Sequence, residues 1–112
     1  MSTPFRDLSQ LAQALQRFAD ERHWGPFHSP KNLASALVVE AGELLEHFQW
    51  LTEEQSRQLD AEQRQAVAYE MADVLLYLVQ MSSALGVDLM ATAQEKMLIN
   101  ARKYPPADTS VG

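Results

Sequence analysis

Four carboxylates are spaced for chemistry: Glu40 with Glu43, and further along the chain Glu70 with Asp73. On a helix advancing about 100° per residue, Glu43 falls about 60° to one side of Glu40, with His47 between them at about 20°. Leu33, Leu37, Ala41, Leu44 and Phe48 fill the arc on the other side, so Glu40 sits at the lip of an apolar stripe. Glu70 and Asp73 repeat the device, with Tyr77 at the angle of His47 and Val67, Met71, Val74 and Leu78 forming the stripe. If the stripes face each other, the four carboxylates converge. Converging like charges repel unless a cation joins them. An all-oxygen donor set without thiolate and with little imidazole favours Mg²⁺, or Mn²⁺ as a substitute, over Zn²⁺. Glu46 makes a further three-residue pair with Glu43 but points about 120° away from Glu40, as a solvated side chain would.

The elements needed to position these residues are helical, because apolar residues recur at 3.6-residue spacing and no stretch alternates with period two. Thr3-Pro4 reads as a helix start, followed by the stripe of Phe5, Leu8, Leu11, Ala12, Leu15, Phe18 and Ala19. Trp24-Gly25-Pro26 breaks this helix near His23. Ser29-Pro30 opens a second helix expected to run to about Trp50. Thr52 with Gln55 is a capping-box pattern for a short helix over 53–59, and Asp60 with Gln63 is another for a long helix ending at Leu85. Gly86 suits the helix end, and Asp88 caps a last helix that stops before Tyr104-Pro105-Pro106. The expectation is an all-α, four-helix-bundle-like domain with one extra short helix over 1–106, and a frayed tail over 107–112.

The 112 residues suffice for one domain, and the 46% apolar content supports a core. There is no cysteine, which excludes thiolate ligands and thiol nucleophiles. The net charge of −6 argues against a nucleic-acid polymer as partner, though not against a nucleotide whose phosphates a cation bridges to carboxylates. No signal peptide or membrane span is visible, so a cytoplasmic protein is expected.

With both motifs in place, Glu40-Ala41-Gly42-Glu43 and Glu70-Met71-Ala72-Asp73, the sequence resembles the MazG-like all-α nucleoside triphosphate pyrophosphohydrolases. The likeness spans about residues 5–105. Arg22-His23-Trp24, the run from Phe27 to Leu33, Phe48-Gln49-Trp50, the run from Asp73 to Leu78, and Lys96-Met97, Asn100 and Lys103-Tyr104-Pro105 look like the dCTP pyrophosphatase branch. Many members carry a Glu doublet at the first motif, where this chain has Val39, and the dCTP branch also tends to lack it. The resemblance implies hydrolysis between the α- and β-phosphates, giving a monophosphate and pyrophosphate, with Glu40, Glu43, Glu70 and Asp73 as metal ligands. One of these carboxylates would take the proton of the attacking water; Glu43 is preferred, with Glu40 second, because His47 lies one turn beyond Glu43. It further implies phosphate contacts from Lys96 and Asn100, with less support for Lys103. The base would lie among Trp24, His28, Trp50 and Tyr77, while Trp50 reads equally as a core or interface anchor and Tyr77 as a packing residue. Lys31 and Asn32 either line the same pocket or are first-turn residues without a role, and His23 reads as surface.

Two other functions fit parts of the pattern. A di-iron bundle requires Glu-x-x-His on two helices, whereas His47 follows Glu43 by four positions and Tyr77 stands where a second His would be. A non-catalytic interaction module would leave the carboxylates solvated and use the apolar helix Val67–Leu85 as a contact face. That helix is apolar nearly all round, through Val67, Met71, Val74, Leu75, Leu76, Leu78, Val79 and Met81, and must be buried nearly all round. A homo-oligomer is therefore expected, a tetramer built from dimers, with sites near subunit junctions.

Overall fold

The computed structural model describes residues 5–107, and all its regular elements are helical. They are α1 (Leu8–Glu21), a 3-10 turn (Gly25–Phe27), α2 (Pro30–Glu46), α3 (Glu53–Ser56), α4 (Ala61–Leu85) and α5 (Leu89–Lys103). Most begin where a side chain satisfies an otherwise orphaned backbone N–H. Ser29 Oγ accepts from Asn32 N at 3.1 Å, and Asp88 Oδ1 from Ala91 N at 3.0 Å. Both capping boxes form: Thr52 and Gln55 exchange bonds of 2.9 and 3.1 Å, Asp60 and Gln63 bonds of 3.0 and 2.8 Å.

Three boundaries differ from the sequence expectation. Thr3-Pro4 and the tail 108–112 lie outside the described residues. Phe5 and Arg6 are not helical; α1 starts at Leu8, where Asp7 Oδ1 accepts from Gln10 N at 2.7 Å and caps the helix. α2 stops at Glu46 instead of Trp50, since residues 47–50 tighten into turns (Phe48 N to Leu45 O, 2.9 Å) before extended Thr52 caps the next helix. α3 ends at Ser56, short of residue 59.

The principal packing is α2 along α4, with α1 laid across α4. Leu33 of α2, Val67 and Val79 of α4, and Leu11 and Ala19 of α1 form the buried core. α5 contributes no buried residue and makes no comparable packing against the rest. The radius of gyration is 17.9 Å, whereas a compact chain of this length has about 13 Å. Among the described residues no single helix is long and apolar enough to cross a membrane.

α1 and α4 end in the same motif with different residues. Trp24 N reaches back to Ala19 O and His23 N to Asp20 O; Val87 N and Gly86 N do the same to Ser82 O and Ser83 O. The left-handed position holds Gly86 at φ 66° in one case and His23 at φ 56° in the other. A side chain there costs about 1–2 kcal/mol, and nothing lies within 4 Å of a Cβ added at Gly86. His23→Gly is therefore expected to raise unfolding stability by about 1 kcal/mol and Gly86→Ala to lower it by a similar amount, as read by urea denaturation.

Candidate functional site

Packing α2 on α4 brings the two acidic notches together. Glu40, Glu43 and Glu70 each place a carboxylate oxygen within 4.8 Å of the others. Asp73, exposed on the next turn of α4, lies outside this trio but close enough for its charge to act on Glu40. Oε2 of Glu40 and Oε2 of Glu70 are buried without a hydrogen-bond partner. Buried carboxylate oxygens normally have partners, and an orphaned one is costly. Glu40 is held above its ordinary value of 4.5, first because the adjacent Glu70 carboxylate favours a proton shared between them. Burial adds to this, Glu43 opposes it, and the charges of Glu70 and Asp73 reinforce it. Three carboxylates with two unsatisfied inward oxygens form a donor set that fits a hard divalent cation.

The aromatic residues divide between the two ends of α2. Trp24 follows the α1 terminus, edge-on to Phe18 (centroids 5.6 Å, 61°) and 6.1 Å from the His28 ring. The Asn32 amide donates to Phe27 O at 3.0 Å, tying the 3-10 turn to α2. Asn32 is thus part of the local scaffold, while Lys31 is exposed on the same first turn. Trp50 lies past the other end of α2 and is 86% exposed. α2 has 17 residues, so about 25 Å of helix separates His28 from the turns leading to Trp50. Trp24 and Trp50 of one chain therefore cannot enclose one base. Tyr77 is half-buried on the carboxylate face of α4, one turn past Asp73. His47 is the exposed C-cap of α2 and His23 is also exposed. On α5, Lys96 is exposed and Asn100 half-buried, and no substantial packing brings them to the carboxylates within one chain.

One group escaped the sequence reading. Gln80 lines a cavity with Gln16 and His28. It lies seven residues after Asp73, on the same α4 face. The helical wheel places it on that face, but only the cavity closed by α1 singles it out.

Residues 36–110 match the MazG-like family. The chain belongs to the MazG-like family. Over 105 residues it is 41% identical to human dCTP pyrophosphatase 1 and 40% identical to the mouse protein of that name, covering 92% of this chain in each case. It spans 62% of the length of these relatives. The crystal structure of a pyrophosphatase from Archaeoglobus fulgidus superposes with a TM-score of 0.84 at 33% identity, covering 95% of this chain and 99% of that one. MazG-like membership agrees with both the all-α fold and the two acidic motifs.

The raised Glu40 value sets the direction of a pH effect. The folded, metal-free protein holds that proton more tightly than the unfolded chain. This contribution to stability is complete below 4.5 and is lost as pH rises through the higher folded value. Thermal melts of metal-free protein should show Tm falling across that window, with the fall reduced in Glu40→Gln. An identical pH profile in the variant would contradict the assignment.

Proposed function

We propose that this chain is a Mg²⁺-dependent nucleoside triphosphate pyrophosphohydrolase that cleaves dCTP or a modified analogue to a monophosphate and pyrophosphate. The observation that carries this reading is the pair of orphaned inward oxygens on Glu40 and Glu70. The names of the relatives support the substrate, and the all-oxygen donor set supports Mg²⁺, with Mn²⁺ able to replace it. Removal of unwanted nucleotides from a soluble cytoplasmic pool is the role that follows.

Glu40, Glu43 and Glu70 would hold the ion, with Asp73 completing the set from the next turn. A divalent cation held there would supply positive charge to offset the phosphates and activate a water. Glu43 is the exposed member of the trio and is assigned as acceptor of the water's proton, with Glu40 as the second candidate. Tyr77 extends the wall of this face, and Trp24 with His28 offers an aromatic edge for the base.

α5 has no substantial packing that brings Lys96 and Asn100 to this site within one chain, and a homotetramer built as a dimer of dimers is proposed to supply them, and to place Trp50 opposite the Trp24 end of a neighbouring copy. The surface supports an assembly. The chain exposes 9234 Å², whereas a folded 12.6 kDa monomer exposes about 6,200 Å². Val38, Leu45, Met97 and Leu98 are each more than 60% exposed. An interface of standard size covers about 800 Å² per partner, so the excess leaves room for more than one. Neither a nucleic-acid polymer nor a membrane is proposed as a partner.

Two experiments test this reading. Chromatography of the Mg²⁺ reaction should give dCMP and pyrophosphate, and Glu70→Gln should lower kcat by at least about 100-fold while the metal-free Tm stays level or rises. A diphosphate product, or an active Glu70→Gln protein, would reject it. Light scattering at micromolar concentration should give four times 12.6 kDa; an active monomer would reject the shared site.

A further inference from the structure

We infer that Gln80 is a specificity-determining residue that reads the edge of a 4-aminopyrimidine base, an inference that rests on the nucleotide reading above. A cavity of about 180 Å³ lies between α1, the 3-10 turn, α2 and α4. A cavity of about 150 Å³ admits one benzene ring, so the space is on the scale of a single-ring heterocycle. Its floor is apolar, from Ala19 and Leu33, which are 4% and 2% exposed. Its polar wall comes from Gln16, His28, Gln80 and Ser83. An apolar floor with a few polar groups at one edge suits a flat ring that carries its hydrogen-bonding groups on its rim.

Asp73, Tyr77 and Gln80 lie at i, i+4 and i+7 on one face of α4, so Gln80 stands about 10 Å along the axis from Asp73. Six covalent bonds of about 1.5 Å separate the α-phosphorus of a nucleotide from the ring nitrogen of its base. Folded through the sugar, they bring the far edge of the base to a similar reach. Gln80 stands about 15 Å along the axis from Glu70, so a nucleotide whose α-phosphate sits at the Asp73 turn, beside the Glu40–Glu70 pair, has its base edge at the level of Gln80.

The hydrogen-bonding groups select an edge that carries an amino group, and the size of the cavity favours a single ring over a fused one. Gln16, which lines the cavity, donates its amide to Asp20 Oδ1 at 2.9 Å, which leaves its carbonyl oxygen as the acceptor it can offer. Gln80 is half-buried and enters no side-chain hydrogen bond among the described residues. Its carboxamide carries one acceptor beside two donors. An exocyclic amino group next to an unprotonated ring nitrogen matches that pair, and the Gln16 oxygen favours the amino group over a carbonyl at the same position.

The test compares wild type with Gln80→Leu on dCTP, dUTP and dATP at saturating Mg²⁺. Loss of one edge contact should lower kcat/KM for dCTP about tenfold, chiefly through KM, and narrow the dCTP to dUTP ratio by the same factor. A second measurement needs neither turnover nor the variant's folding. In ¹⁵N-labelled wild-type protein, the Gln80 side-chain amide signal should shift on adding dCMP and not on adding dAMP. Unchanged ratios in a folded variant, or no dCMP-dependent shift, would overturn the role of Gln80 while leaving the pyrophosphohydrolase reading intact. A dCMP-specific shift in a protein that hydrolyses no triphosphate would support the cavity and reject that reading.

Discussion

The repulsion between Glu40 and Glu70 is the constraint on which the rest of the structure turns. Apolar packing of α2 against α4 drives the two carboxylates together, and electrostatics opposes it. Burial leaves one oxygen of each without a partner, and Glu40 responds by holding its proton above the ordinary range. Such an arrangement survives because hydrophobic burial of Leu33, Val67 and Val79 outweighs it. Filling the notch with apolar side chains would relieve the strain, so its retention in this chain points to a charge the carboxylates are arranged to meet. The capped starts at Ser29 and Asp60 fix where each helix begins, and hence which turn of α2 faces which turn of α4.

The same packing leaves apolar surface uncovered in a single chain. α2 and α1 cover only part of α4, leaving Met71, Leu75 and Leu78 on its open side. α5 buries none of its own residues. Trp24 and Trp50 stand at opposite ends of α2, so aromatic groups that look adjacent as motifs are far apart in one copy. A second copy placed with its helices reversed would bring the two kinds of end together, and it would cover apolar surface at the same time.

Much of this was legible in the sequence because it was written locally. Helix identity follows from 3.6-residue periodicity, and both capping boxes and the Gly86 terminator depend on residues within a turn of each other. The convergence of Glu40, Glu43 and Glu70 was legible because each pair sits beside an apolar stripe that has to face something. The start of α1 was misread, as Asp7 competes with Thr3 and a sequence alone does not rank two adequate caps. The end of α2 was misread because an apolar stripe continues through Phe48 even though the backbone has tightened into turns. The division of the aromatic residues was invisible, since family-like motifs carry no distances. Gln80 was passed over because a glutamine late on a helix carries no signal until α1 closes a cavity around it.

If the α2–α4 carboxylates form a cation site, Mn²⁺ makes it visible. Crystals grown with Mn²⁺, measured for anomalous scattering, should show a strong peak in contact with Glu40, Glu43 and Glu70 that disappears in Glu70→Gln crystals. Protein that hydrolyses nucleotide with Mn²⁺ yet shows no peak at these carboxylates, or a peak only elsewhere, would contradict the account.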